Sequence, residues 1–343
     1  MTSNPRIAAL IACVLICVLV VAMPATALAD LDDETVQHES HLEWWTPSYL
    51  VDYGIVAGGI AGYIIGERIS PRRRAMIGPS YDPLDPTPVF DSETVGRTHL
   101  DEGVEDTVPT VWIHRMVAGG AFFVAGVEGV ELAQGDSALH YFHDAFVGYA
   151  ETVAVTATVT SMIKPFVGRL RPDFGERALR YHCNYDDPER FGSQCDNYED
   201  RPLGANEQEG RELIDDGQRS FISGHSSHSF NILGYTALLV GGRYVWSDDA
   251  TTTSQTIGIA SQAAMLGSAA FIAGSRVTDG RHHLSDTLVG TAVGLGIANA
   301  SYWRRFQRDG SLRTGSNEES TASTSLSAQP TLDGPGVSLT LQF

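Results

Sequence analysis

The segment Ser275–Asp286, SRVTDGRHHLSD, brings two guanidinium groups, two imidazoles and two carboxylates together in one short stretch. The apolar run that follows, up to Trp303, predicts a helix. On that helix Asp286 lies one turn beyond His282 and slightly less than one turn beyond His283, so its carboxylate is placed to hold either imidazole. A carboxylate that accepts the Nδ1 proton leaves Nε2 free as a nucleophile or base. The alternative interpretation is a polar helix start with two solvated histidines.

Two other segments favour the chemical interpretation. Lys164–Pro172, KPFVGRLRP, ends one apolar run, and Arg219–His228, RSFISGHSSH, precedes another. The ordered set Lys-x6-Arg-Pro, Ser-Gly-His and Ser-Arg-x5-His-x3-Asp resembles the type-2 phosphatidate phosphatase and vanadium haloperoxidase superfamily. The residues within and around the motifs most resemble those of its lipid phosphate phosphatase branch, and the resemblance covers residues 108–303. Three motifs in the right order are far more specific than any one alone.

The resemblance implies a phosphate-binding cradle that requires no metal and no other cofactor. Positioned cations and N–H donors stabilise the charge that develops on the non-bridging oxygens during phosphoryl transfer. The groups to which the resemblance assigns phosphate contacts are the side chains of Lys164, Arg171 and Arg276, the hydroxyl of Ser223 and the amide of Gly224.

Spacing alone leaves His282 and His283 equivalent, and the register of the family selects His282 as the nucleophile, with Asp286 as its orienting carboxylate. The resemblance assigns His225 as the general acid that protonates the leaving alkoxide and later activates water. One departure is Ile222, which stands where the family usually has a proline before Ser-Gly-His. The loss of a fixed φ in the phosphate loop predicts weaker activity.

The composition excludes some partners. The 343 residues carry 42 acidic and 23 basic side chains, a net charge of −19, which argues against nucleic-acid binding. Lys164 is the only lysine and stands where the first motif requires one. Nothing in the sequence indicates an oligomeric state.

The N-terminus predicts export. Residues 1–29 contain Arg6, an apolar run and small residues before Asp30, the pattern of a cleaved secretory signal peptide. In an exported protein, Cys183 and Cys195, which flank a short acidic loop, predict a disulfide.

The fold class predicted is all-α. Six apolar runs of helical length and composition predict a bundle of about six core helices with the phosphate site at one end. Those runs are Tyr53–Gly66, Met116–Val127, Ala145–Ile163, Phe230–Gly242, Thr256–Ala273 and Thr287–Trp303. Long polar loops are predicted at 79–109 and at 173–218, the second as an exposed insertion over the site.

Four regions are predicted along the chain: a signal peptide (1–29), an N-terminal segment with one apolar helix and an acidic loop (30–110), the phosphatase helical core (111–305) and a tail (306–343). The Ser, Thr and Glu content of the tail predicts disorder. At its end, Val337, Leu339, Leu341 and Phe343 alternate with polar residues and predict one short strand.

Two membrane arrangements remain open. The run Tyr53–Gly66 is bounded by Asp52 and Glu67, so it is shorter than the roughly 20 residues of a span, and the mean hydropathy is only −0.08. These features favour a soluble or peripheral exported bundle; the alternative has the other five runs spanning. Either way, we expect an exported, periplasmic protein, membrane-associated or integral, with its site facing outside.

Three function classes compete. The first is a phosphatase that acts on lipid or small phosphate monoesters, such as phosphatidate, through a phosphohistidine, with a membrane surface as its partner. The second is a vanadate-dependent haloperoxidase, which is disfavoured because the residues of the three motifs resemble lipid phosphatases more closely. The third is a non-catalytic exported binding protein, which the presence of every catalytic group disfavours.

Overall fold

The computed structural model describes residues 47–71, 76, 106–132, 137–196, 198, 201–312, 325–331 and 334–340. The predicted signal peptide, and the predicted acidic loop up to residue 105, lie outside the described residues. Within them the chain is almost entirely helical, so the all-α prediction is confirmed.

Six long helices each contain one of the six apolar runs. They are α1 (Pro47–Arg68), α2 (Thr110–Leu132), α3 (Ser137–Val167), α7 (Gly224–Tyr244), α8 (Thr252–Thr278) and α9 (Leu284–Arg305). Between α3 and α7 lie α4 (Phe174–Tyr181), a π-helical turn (His182–Asp186), α5 (Pro188–Phe191), a 3₁₀ turn (Gly192–Gln194) and α6 (Glu207–Gly217).

The segment between α3 and α7 is a folded cap, so the prediction of a long polar loop at 173–218 is wrong. Phe174 and Ala178 of α4 pack with Leu170, Leu203 and Ile214 in a small core of their own. These apolar residues are spread too thinly along an acidic stretch to form a run, and only folding brings them together.

Helix α7 is the centre of the bundle and packs against α9, α8, α3 and α2, whereas α1 packs on α3. Aromatic side chains fill the main core, among them Phe146, Tyr235, Tyr302 and Phe306. Helices α7 and α9 approach backbone to backbone: a Cβ on Gly290 would lie 2.7 Å from the carbonyl oxygen of Ser223. This close crossing holds the N-terminal ends of α7 and α9, which carry the second and third motifs, side by side.

Among the described residues, three helices are long and apolar enough to cross a membrane, at Tyr49–Arg68, Tyr141–Val167 and Thr252–Thr278. The first contains the run that looked too short in the sequence. Asp52 borders that run, but the residue is only 5% exposed. It pairs with Arg304 at 2.8 Å and with Arg305 at 3.0 Å. The charge that shortens the apolar run therefore points into the bundle.

The C-terminal tail contains a hairpin. Strand β1 (Ser325–Thr331) pairs antiparallel with β2 (Gly334–Thr340), and Leu326 lies opposite Leu339. The predicted strand therefore exists from Gly334 to Thr340, while Leu341 and Phe343 lie outside the described residues. The partner strand β1 is a polar segment without a clear alternating pattern, so the sequence did not indicate it, and it is recognised only by its backbone pairing with β2.

Candidate functional site

The three motifs converge at one end of the bundle, where the C-terminal ends of α3 and α8 meet the N-terminal ends of α7 and α9. Lys164 lies in the last turn of α3, and its Nζ would be 3.2 Å from a Cβ on Gly224. The backbone N–H of Ser223 donates to the carbonyl oxygen of Asp286 at 3.1 Å. The first motif therefore contacts the second, and the second contacts the third.

Arg171 of the first motif is held by the cap. Its Nη2 donates to Asp216 Oδ1 at 2.8 Å and its Nε to the Asp216 carbonyl oxygen at 3.1 Å. Its backbone N–H donates to the carbonyl oxygen of Gly217 at 2.8 Å. The end of α6 thus fixes a guanidinium that the sequence assigns to phosphate, and Asp216 supplies its counter-charge.

The second motif begins helix α7. Ser223 is its N-cap, and the Ser223 hydroxyl accepts from the N–H of Ser226 at 3.5 Å. The free N–H groups of this first turn carry the positive end of the helix dipole, which suits an anion. Ile222, the residue that replaces the usual proline, is fully buried, and the Phe221–Ile222 peptide bond is cis.

His225 projects from the first turn of α7 and is 9% exposed. Among the described residues, its Nε2 has no hydrogen-bond partner. Burial, with the nearby charges of Arg276 and Lys164 and the imidazole of His282, lowers the pKa of His225 to about 2. The imidazole is therefore neutral at physiological pH, with an unsatisfied polar nitrogen at the centre of a cationic site.

Arg276 lies in the last turn of α8 and is braced by the segment that precedes α2. Its Nη1 donates to the Val108 carbonyl oxygen at 3.1 Å, and its Nη2 lies 3.4 Å from Asp106 Oδ2. The other oxygen of Asp106 accepts from Arg281 at 2.8 Å. Thr107 attaches the same segment to the end of α8, since its N–H and hydroxyl both donate to Asp279.

Asp286 is fully buried at the start of α9. It accepts from the Ser220 hydroxyl at 2.6 Å, from Arg169 Nη1 at 2.6 Å and from the His283 backbone N–H at 3.1 Å. His282 Nδ1 lies 3.8 Å from Asp286 Oδ2, beyond hydrogen-bond distance, and 3.5 Å from the Ser220 hydroxyl.

The imidazole of His282 is also neutral. Burial lowers its pKa to about 3, and the charges of Arg171 and Lys164 act in the same direction against the opposing influence of Asp286. A neutral imidazole keeps a lone pair available for attack. By contrast, His283 points its Nε2 at the Leu170 carbonyl oxygen, 3.1 Å away, and so ties α9 to the backbone of the first motif.

Residues 139–309 match the family described as the PAP2 superfamily. The helical core carries a PAP2 superfamily domain. The match begins within α3, ends just after α9 and includes all three motifs. Among the described residues, no group of three or more His, Cys, Asp or Glu side chains is arranged to hold a metal ion.

Curated relatives carry the names of lipid phosphatases. "Lipid phosphate phosphatase 2" of Arabidopsis thaliana is 31% identical over 164 residues, which are 48% of this chain and 51% of the relative. "Probable diacylglycerol pyrophosphate phosphatase 1" of Schizosaccharomyces pombe is 29% identical over 172 residues, 48% of this chain and 54% of the relative. The chain spans about half the length of these curated relatives. No solved structure matches it.

Four residues near the PAP2 motifs carry contacts that the sequence did not indicate: Arg169, Ser220, Asp106 and Asp216. The first two stand inside quoted motifs, so their positions were visible but their partners were not. Asp106 and Asp216 lie in acidic stretches without periodicity, where one carboxylate cannot be told from its neighbours. Only the folded chain distinguishes them.

Proposed function

We propose that the PAP2 domain is a phosphatase that hydrolyses lipid phosphate esters, such as phosphatidate, through a phosphohistidine at His282. The observation that carries this proposal is the pair of buried, neutral histidines, His282 and His225, in one cluster with Lys164, Arg171 and Arg276. Cations that surround a nucleophile and a second proton-transfer group are the arrangement that phosphoryl transfer requires.

In the first step the three cations and the amide of Gly224 hold the non-bridging oxygens. His282 Nε2 attacks phosphorus, an N–P bond forms and the ester P–O bond breaks. His225 gives its proton to the leaving alkoxide. The negative charge of the phosphate offsets Arg276 and Lys164, so substrate binding raises the pKa of His225 and favours the protonated form that this step needs.

In the second step His225 acts as the base. It takes a proton from water, the resulting hydroxide attacks phosphorus, and the N–P bond breaks to release inorganic phosphate and free His282. The same residue thus acts as acid and then as base, as microscopic reversibility requires.

A lipid substrate is supported by the outer surface of the helices. The candidate span in α8 presents large apolar side chains to the outside, including Ile257, Ile259 and Phe271, each more than half exposed. Large apolar side chains exposed along one helix indicate contact with a membrane or a protein partner. We propose that the three candidate spans lie in a bilayer, with the phosphate site at one surface where lipid head groups lie.

The test is hydrolysis of phosphatidate by the purified full chain in detergent micelles, with His282→Ala as the inactive control. We expect phosphate release that EDTA leaves unchanged and that vanadate inhibits. Loss of turnover in EDTA that magnesium restores would contradict the mechanism. Oxidation of halide by peroxide with added vanadate, without hydrolysis, would instead identify a haloperoxidase.

We also propose that the site faces an oxidising compartment outside the cytoplasm. The Cα atoms of Cys183 and Cys195 lie 5.4 Å apart, a separation that supports a disulfide, and both residues lie in the cap, at the same end of the bundle as the phosphate site. Mass spectrometry of a non-reduced digest should find the peptides of Cys183 and Cys195 linked. Two free thiols in protein taken directly from cells would contradict this orientation.

A further inference from the structure

We propose that Ser220 is a positioning residue that connects Asp286 to His282: the His282 Nδ1–H donates to the Ser220 hydroxyl, and that hydroxyl donates to Asp286. This inference rests on the proposed function, because it concerns how the nucleophile of that reaction is oriented. It replaces the direct carboxylate–imidazole contact that the spacing of the third motif predicts.

The distances favour the indirect connection. Ser220 Oγ lies 2.6 Å from Asp286 Oδ2, a short and strong hydrogen bond, and 3.5 Å from His282 Nδ1. The direct separation between His282 Nδ1 and Asp286 Oδ2 is 3.8 Å. The serine hydroxyl is therefore the nearer acceptor for the imidazole.

The direction of both hydrogen bonds follows from which groups can donate. An ionised carboxylate only accepts, so the single proton of the Ser220 hydroxyl points at Asp286. The lone pairs of that oxygen then remain for His282, which must carry its proton on Nδ1. Nε2 is left without a proton, and this is the tautomer that a nucleophilic imidazole requires.

Arg169 makes this arrangement rigid. Its carbonyl oxygen accepts from the Ser220 backbone N–H at 3.0 Å, while its Nη1 donates to Asp286 Oδ1 at 2.6 Å. The same residue therefore anchors the serine backbone and the carboxylate that the serine side chain contacts. Ser220 and Asp286 are both fully buried, so water does not compete for these hydrogen bonds.

The experiment measures the rate of phosphoenzyme formation by rapid quench, with labelled phosphatidate in micelles and the full chain. Ser220→Ala should slow labelling roughly 10- to 100-fold, a loss of the size found when the hydrogen-bond partner of a metal-bound histidine is removed. Inhibition by inorganic phosphate should be unchanged, because no group that contacts phosphate is altered. A general distortion of the site would weaken phosphate binding as well.

The matched control is Ser229→Ala. Ser229 is also a fully buried serine of this region, but its hydroxyl donates within α7, to the Ser226 carbonyl oxygen at 3.2 Å. This variant should be labelled at the wild-type rate. Ser220→Cys supplies a second substitution of similar size, with a weak hydrogen-bonding group, and should be slow even if Ser220→Ala folds poorly.

A double substitution tests the order of the connection. If Ser220 acts through Asp286, then Ser220→Ala with Asp286→Asn should be no slower than Asp286→Asn alone. Losses that multiply would overturn the proposal, as would labelling of Ser220→Ala and Ser220→Cys at the wild-type rate. Absence of any phosphoenzyme in the wild type would overturn the proposed function itself, whereas a labelled wild type with unaffected Ser220 variants overturns the relay alone.

Discussion

His282→Ala is expected to form no phosphoenzyme with any phosphate ester, whereas His225→Ala should still be labelled by an activated ester and should accumulate the label. His282 makes the covalent bond, so its removal stops both steps. His225 acts by proton transfer, and general acid catalysis contributes roughly 10²- to 10⁴-fold only where the leaving oxygen is basic. A nitrophenolate leaves without a proton. The second step still lacks its base, so the intermediate persists.

Rapid-quench labelling with a nitrophenyl phosphate and with an alkyl phosphate distinguishes the two histidines. His283→Ala is the control, because its Nε2 contacts the Leu170 carbonyl oxygen. That variant should be labelled. Label trapped by His282→Ala but not by His225→Ala would reverse the two roles. If His283→Ala alone abolished labelling, the assignment would be wrong by one residue.

Arg276→Gln should lower kcat/KM by about 10²- to 10³-fold, the typical cost of removing one donor that stabilises transition-state charge. Arg276 is 2% exposed, its guanidinium contacts Val108 and Asp106, and among the described residues its Nε has no hydrogen-bond partner. A lysine should not restore the rate, because it lacks the rigid planar array of donors.

The control for Arg276→Gln is Arg115→Gln, which removes an exposed cation that stacks on Trp112. Its kcat/KM should match the wild type. Because Arg276 also pairs with Asp106, the melting temperature of Arg276→Gln should be compared with that of Asp106→Asn. If both variants lose stability and activity in parallel, Arg276 is structural and does not bind phosphate.

Much of the architecture could be predicted from short stretches of the sequence. Apolar runs of helical length predict helices wherever tertiary contacts do not override them, and each of the six runs lies in a long helix. The three motifs were also informative, because their cations, histidines and serine stand at the ends of those runs. An alternating up-and-down bundle places such ends together, so a shared site followed from order and spacing.

Membrane insertion was harder to predict, because a hydropathy average includes each charged residue whether its side chain faces the lipid or the protein interior. Asp52 shortens an apolar run in the sequence, yet in the fold its buried carboxylate pairs with Arg304 and Arg305. The cap was missed for a related reason. Leu203 and Ile214 are isolated in an acidic stretch and become a core only when they meet Leu170 and Phe174.

By itself, the sequence determined the helical class and the set of groups that converge, since periodicity and motif spacing are properties of the chain in one dimension. Only the tertiary structure decided how those groups are held. Asp106, Asp216 and Ser220 reach Arg276, Arg171 and His282 from segments that are distant in the sequence. Such contacts depend on how helices cross and where caps fold, and a buried charge or imidazole takes whichever partner that geometry brings within hydrogen-bond distance.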